Sequence, residues 1–313
     1  MAWDYKGILP AMQVPFRDDQ SIDEPDLRRF VDWLLGHDGI AGLVTNGHTG
    51  EVFALSLKER AEVTRIVASQ AKGRAPVVSG ICCEGINEAV EHAHAFVEAG
   101  ASGALVMPPH MWLRFGMKPA HVVDYFAAIG EASGLDLVVH IYPSWTKASY
   151  STETLLELAK LPWVKVFKMG TREMSKYARD VTLLRNAAPD KTLLTCHDEY
   201  LLASMVQGVD GALVGFASFI PDRIIALWRA VQRYDLKEAM RLQLEINPLK
   251  EAVYGQGEPT GDAHARMKTA MKLAGIFRSD TVRPPIQKPE GRDLDAIMTA
   301  LDNAGLLMKQ AAE

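Results

Sequence analysis

Two lysines stand in the run VKVFKMG (164–170), a stretch apolar enough to form a buried strand. A charged amine in such a run is costly unless it has a job or an exit to water. Side chains alternate across a strand, which places Val164, Val166 and Lys168 on one face and Lys165, Phe167 and Met169 on the other. An amine held in an apolar pocket loses the solvation of its charged form. Its pKa falls, and its lone pair becomes a nucleophile for a carbonyl carbon. Lys168, late in the run, is the candidate for such imine chemistry. Spacing alone equally allows a lysine that snorkels from a strand end to water.

Two more stretches carry residues of the right types. TNGHTGE (45–51) brackets a hydroxyl residue between glycines, just ahead of a helical pattern. Such a loop can aim backbone amides and the Thr49 hydroxyl at one anionic oxygen, although an ordinary turn gives the same pattern. In HIYPSWT (140–146), His140 and Tyr142 are two apart and share a face. Either is able to move a proton, and a packed pair with satisfied polar tips is the alternative.

These stretches need elements to position them. Short apolar runs at 7–16, 42–47, 76–82, 104–109, 135–143, 164–170, 192–198 and 211–216 alternate with segments of 3.6-residue apolar spacing. The helical segments fall at 24–38, 57–72, 87–99, 120–132, 152–161, 173–187, 200–207 and 222–234; in the first, Leu27, Phe30, Val31 and Leu34 form one stripe. Eight strands, each followed by a helix, make a (β/α)8 TIM barrel, with a doubly wound sheet as the weighed alternative. A barrel keeps its chemistry at the C-terminal ends of its strands, and Lys168, not Lys165, lies there. Only helical pattern follows, at 236–254, 264–274 and 294–307, with loops at 255–262 and 283–289. The reading is a barrel domain over 1–235 and a C-terminal helical subdomain over 236–313.

The 313 residues are 48% hydrophobic and carry a formal net charge of −5, enough for a large core and no inducement to nucleic acid or an anionic membrane. Cys82, Cys83 and Cys196 are the only cysteines, with no CxxC pair, so no disulfide framework is expected. The start MAWDYKGILPAM has no secretory pattern, and no apolar stretch approaches a membrane span. The expectation is a soluble cytoplasmic protein. His92 and His94, two apart on a helix, cannot share a face, and His197 and Asp198, adjacent on a strand, point opposite ways. No metal site is expected, and no GxxxxGK or helix-opening GxGxxG occurs.

Taken together and in this order, the three stretches resemble the dihydrodipicolinate synthase/N-acetylneuraminate lyase family of class I aldolases. The likeness extends over essentially the whole chain, through GILPAMQVPF, the TGE loop, the PP ending strand 4, GALVGFASFIP and the late VRPP. It implies that Lys168 forms a Schiff base with pyruvate or a related 2-oxo acid, without a cofactor. It implies that the glycine-rich loop, here His48, Thr49 and Gly50, holds the substrate carboxylate. The usual YNxP tyrosine position is His140, so the proton shuttle is divided between His140 and Tyr142. An arginine typical of dihydrodipicolinate synthases is replaced by Trp145, a glycine of strand 7 by Cys196, and the tyrosine lent by a neighbouring subunit by the region around His110–Trp112. With Leu213 of strand 8, these complete the expected substrate-binding set. The implied activity is a lyase or aldolase joining or parting a 2-oxo acid and an aldehyde, with an apolar or aromatic acceptor favoured over aspartate semialdehyde. A 2-keto-3-deoxy sugar acid dehydratase and a non-catalytic 2-oxo acid binder on the same scaffold are the rivals. Homo-oligomers, tetrameric or dimeric, are usual in the family.

Overall fold

The computed structural model describes residues 3–255 and 260–308. Residues 256–259 of the loop expected at 255–262, and the chain ends at 1–2 and 309–313, lie outside the described residues. The strands are β1 (Gly7–Pro10), β2 (Leu43–Thr45), β3 (Val77–Ile81), β4 (Gly103–Val106), β5 (Asp136–His140), β6 (Val164–Met169), β7 (Thr192–Thr195) and β8 (Gly211–Val214). The barrel helices are α1 (Glu24–Leu35), α2 (Leu57–Ala71), α3 (Ile86–Glu98), α4 (His110–Phe115), α5 (Pro119–Ser133), α6 (Thr152–Ala159), α7 (Met174–Ala187), α8 (Leu201–Met205) and α9 (Pro221–Gln232). Three more follow: α10 (Leu236–Tyr254), α11 (Ala263–Leu273) and α12 (Gly291–Asn303). Every run read as a strand overlaps one, and every long periodic segment overlaps a helix, with β4, α3, α5, α9, α11 and α12 starting one to three residues earlier than read. The six-residue α4 is too short to show a period; it starts after Pro109 and stops at Gly116, whose φ is 77°.

All eight strands are parallel in the order β1-β8-β7-β6-β5-β4-β3-β2. The seam between β1 and β2 is closed by the bridges Ile8–Ile40 and Ala11–Val44. The chain is therefore a (β/α)8 barrel with C-terminal helices. Leu9, Val44, Val78, Leu105, Val138, Val166, Leu194 and Leu213 fill its interior. Tyr5 joins them at the floor, its hydroxyl donating to Asp136 at 3.0 Å.

One expectation about β6 is corrected. Val164 does not share the inward face with Val166 and Lys168 but packs in the outer layer with Leu137 and Phe167. The cause is a register shift against β5: Leu137 pairs with Val164, yet Val138 pairs with Val166, so exposed Lys165 is skipped. Such a bulge turns the preceding residue to the other face. It also sets His140 directly beside Lys168.

Among the described residues the C-terminal helices share the core of the barrel. Leu242, Ile246, Leu249, Met267, Met271 and Ile297 belong to one apolar cluster with Leu27, Phe30, Ile66 and Val214 of the barrel. A buried ion pair ties the two parts further: Lys268 Nζ donates to the Glu51 carboxylate and, at 3.1 Å, to the Thr281 carbonyl. Among the described residues no helix is long and apolar enough to cross a membrane.

Candidate active site

A cavity of about 660 Å³ opens at the C-terminal ends of the strands. Lys168, His140, Tyr142, His48, Thr49, Cys196 and Leu213 all line it. Lys168 enters from the end of β6, half-buried. The strand can finish there because Gly170 follows; a Cβ at that position would lie 1.8 Å from the Ile141 carbonyl oxygen. His140 is 6% exposed, and its ring lies 5.0 Å from that of Tyr142 and 5.6 Å from that of His48. The Tyr142 hydroxyl is 3.1 Å from His48 Nε2.

The loop after β2 folds as a tight turn in which the Gly50 and Glu51 amides donate to the Gly47 and His48 carbonyls. Glu51 leaves it with φ 54°, in the left-handed region, where its bonds to Lys268 and to the Arg283 amide hold it. This geometry carries His48 and Thr49 into the cavity. Gly50 instead backs the loop, since a Cβ there would stand 2.9 Å from the Met12 carbonyl oxygen. Trp145 does not line the cavity and is 60% exposed. Residues 143–146 close a turn through a 3.0 Å bond from the Thr146 amide to the Pro143 carbonyl; Pro143 and Thr146 face the cavity, and Trp145 projects outward.

Burial dominates the electrostatics. It lowers the pKa of Lys168; Cys196 and Asp198 pull the value back up, and Arg172 pushes it further down. It takes His48 to about 3, helped by the charges of Lys168, His264 and His110. His140 is driven well below its ordinary value by burial and then by Lys168. Tyr142 is raised by burial, with a smaller push from Cys82. At neutral pH the neutral imidazoles of His48, His140 and His264 and the neutral phenol of Tyr142 thus surround an amine that loses its proton more readily than usual.

Several lining residues were not anticipated. Asp198, 7% exposed, accepts the Gly215 and Phe216 amides at 3.1 and 2.9 Å, yet burial still raises its carboxyl to about 7. Cys196 and Asp198 face the cavity while His197 turns outward between Tyr177 and Tyr200; the three follow the end of β7 at Thr195, so the loop and not strand alternation sets their directions. Arg172 donates to Glu199 at 2.8 Å, and Arg283 donates to Glu59 at 2.6 Å. Tyr254 and His264 come from the C-terminal helices. No spacing near the strand motifs signals Tyr254 and His264; Asp198 stands in the pair set aside as a metal site, and Arg283 in the late VRPP.

Residues 4–304 match the family model of the Dihydrodipicolinate synthetase family. The chain belongs to this family. Within it, the 4-hydroxy-tetrahydrodipicolinate synthase of Methanococcoides burtonii is 31% identical over 306 residues, covering 97% of this chain and 99% of that one. The N-acetylneuraminate lyase of Enterobacter sp. (strain 638) is 30% identical over 285 residues, covering 91% and 92%. The solved structure of dihydrodipicolinate synthase from Bacteroides thetaiotaomicron matches with a TM-score of 0.86 at 28% identity, covering 97% of this chain and all of that one. This member of the dihydrodipicolinate synthetase family is a lyase of the class I aldolase kind.

Proposed function

We propose that the chain forms and breaks a carbon–carbon bond between a 2-oxo acid, pyruvate or a pyruvate-derived skeleton, and an aldehyde, through an imine on Lys168. The observation that carries this is the adjacency of Lys168 and His140 in one register step, inside a cavity that also holds Thr49. The Lys168 amine adds to the C2 ketone, and loss of water leaves a protonated imine. The substrate carboxylate lies against Thr49; the Gly50 and Glu51 amides are spent on the turn. In cleavage, a base takes the C4 hydroxyl proton, the C3–C4 electrons pass into the imine, and the aldehyde leaves. Protonation of the enamine at C3 and hydrolysis of the imine release the 2-oxo acid. His140 is the base closest to Lys168 along the sheet, and the Tyr142–His48 contact supplies a route for the proton onward.

The acceptor end favours an apolar or aromatic aldehyde. Phe53, Leu113, Pro143, Pro284 and Ile286 line the cavity. The two guanidiniums there, Arg172 and Arg283, are each paired with a carboxylate, so a second substrate carboxylate meets cations already engaged. Asp198 favours one further reading: a carboxyl with a pKa of about 7 beside the imine is placed to protonate a departing hydroxide, which is dehydratase chemistry. Exposed Phe53, Met111 and Phe115 near the mouth fit a homo-oligomer, to be checked by light scattering.

Incubation with pyruvate, reduction with borohydride and peptide mass analysis test the imine. A pyruvate-sized adduct on the Lys168 peptide, absent in Lys168→Ala, supports it. No adduct with pyruvate or longer 2-oxo acids would leave the lysine without this role. Pyruvate release against water loss from a 2-keto-3-deoxy acid then separates aldolase from dehydratase, and an aldehyde panel with best turnover on small charged acceptors would sink the apolar-acceptor reading.

A further inference from the structure

Outside the cavity, where β3 runs into α3, Cys83, Glu88 and His92 bring a thiol sulfur, a carboxylate oxygen and an imidazole nitrogen within 4.8 Å of one another. Glu88 and His92 are four apart on α3 and share a face. Comparing His92 with His94 alone does not reveal this, because the neighbours of His92 are a carboxylate one turn earlier and a thiol from the loop after β3. Cys83 and His92 are 3% and 4% exposed, whereas Glu88 is exposed. His92 Nδ1 is buried with no hydrogen-bond partner, a state that costs free energy until a partner arrives. The surroundings are acidic: Glu84, Glu88 and Glu91 act on the cysteine or the histidine. An opposing cation, Arg60, is spent on the Val52, Leu55 and Cys82 carbonyls.

We propose that Cys83, Glu88 and His92 form a binding site for Zn²⁺ or a divalent ion of similar softness, with the fourth position left to water. A thiolate, an imidazole and one carboxylate suit zinc and discriminate against Mg²⁺ and Ca²⁺, which take oxygen ligands. At ordinary zinc bond lengths the ligand atoms of a tetrahedral site lie about 3.3–3.8 Å apart, so a modest tightening of the three side chains completes the site; Glu88 Oε2 meanwhile accepts the Glu84 amide at 3.2 Å. As the sulfur–metal bond forms, the Cys83 thiol gives its proton to solvent. His92 binds as the neutral imidazole, and no electron changes hands. The ion would pin β3 to α3 one residue away from Glu84, whose carboxylate accepts the His110 and Met111 amides at 3.0 and 2.8 Å. His110 lines the cavity, so the clamp lies two residues from the cavity wall.

The test uses the chelator-stripped full chain titrated with Co²⁺, followed by displacement with Zn²⁺. The expected result is one equivalent bound, with a thiolate-to-cobalt charge-transfer band in the near ultraviolet that Zn²⁺ abolishes. Cys83→Ser should lose the band, and Cys82→Ala and Cys196→Ala should retain it. Glu88→Ala, at an exposed position that does not threaten folding, should weaken binding by about tenfold or more. A band that survives in Cys83→Ser, an affinity unchanged in Glu88→Ala, or no stoichiometric binding overturns the proposal. None of these readings depends on turnover.

Discussion

The Tyr142 hydroxyl and His48 Nε2 stand 3.1 Å apart, although one residue follows β5 and the other follows β2. Both groups are neutral at ordinary pH, so the contact holds one proton that either end can keep. The His140 ring lies against both, 5.6 Å from the ring of His48 and 5.0 Å from that of Tyr142.

His140→Gln should keep forming the trapped pyruvate imine but lose about 10²–10⁴-fold in kcat, the usual worth of a positioned proton-transfer group. Tyr142→Phe should lose less, because it breaks the His48 contact and leaves His140 in place. Exchange of the pyruvate methyl protons in heavy water reads the C3 step directly. Unchanged exchange in His140→Gln would remove His140 from the base role.

Acid should destabilise the fold early. His48 and His197 are held at about 3 and His264 at about 4, chiefly by burial, against about 6.5 in an unfolded chain. A depressed folded value gives stability that is complete above pH 6.5 and is lost as pH falls toward 4. Each histidine contributes a slope of up to about 1.4 kcal/mol per pH unit. Asp198, raised to about 7, acts in the other sense: its contribution is complete below its unfolded value and is lost as pH rises through 7. Urea midpoints measured from pH 7 to 4 should therefore fall, and should fall less steeply in His197→Phe, which lies outside the cavity.

Trp145→Ala should leave kcat and KM for the 2-oxo acid within about twofold. The side chain is 60% exposed and does not line the cavity. Steady-state kinetics decide the point, and a large KM increase would return Trp145 to the binding site.

Lys268 is fully buried, and its partner Glu51 nearly so. Lys268→Met alone leaves a buried carboxylate uncompensated and should cost about 3–5 kcal/mol. Adding Glu51→Gln should recover part of that loss. A double-mutant cycle from urea denaturation measures the coupling.

The barrel was legible because each strand run and each helix stripe is a local pattern; Leu27, Phe30, Val31 and Leu34 are all fully buried, as their spacing requires. Lys168 was legible because its inward face follows from alternation over the last residues of β6. Val164 was misplaced because a bulge changes the face without changing the composition, so alternation carried back past Lys165 fails. Trp145 was misplaced because a turn, and not the strand, decides where it points. Asp198 was in view but was considered only as a metal ligand with His197, and burial, which gives it its chemistry, is invisible in one sequence. Tyr254 and His264 reach the cavity through tertiary packing alone.

The bonds from Lys268 and the Arg283 amide to Glu51 have a consequence for how the protein is born. The loop carrying His48 and Thr49 leaves the ribosome early, but the groups that fix its left-handed exit are made more than two hundred residues later. Translation order and assembly order therefore diverge. A nascent chain bearing all eight strands and Lys168 still lacks the groups that hold Glu51, and the loop is pinned only once Lys268 and Arg283 have been made.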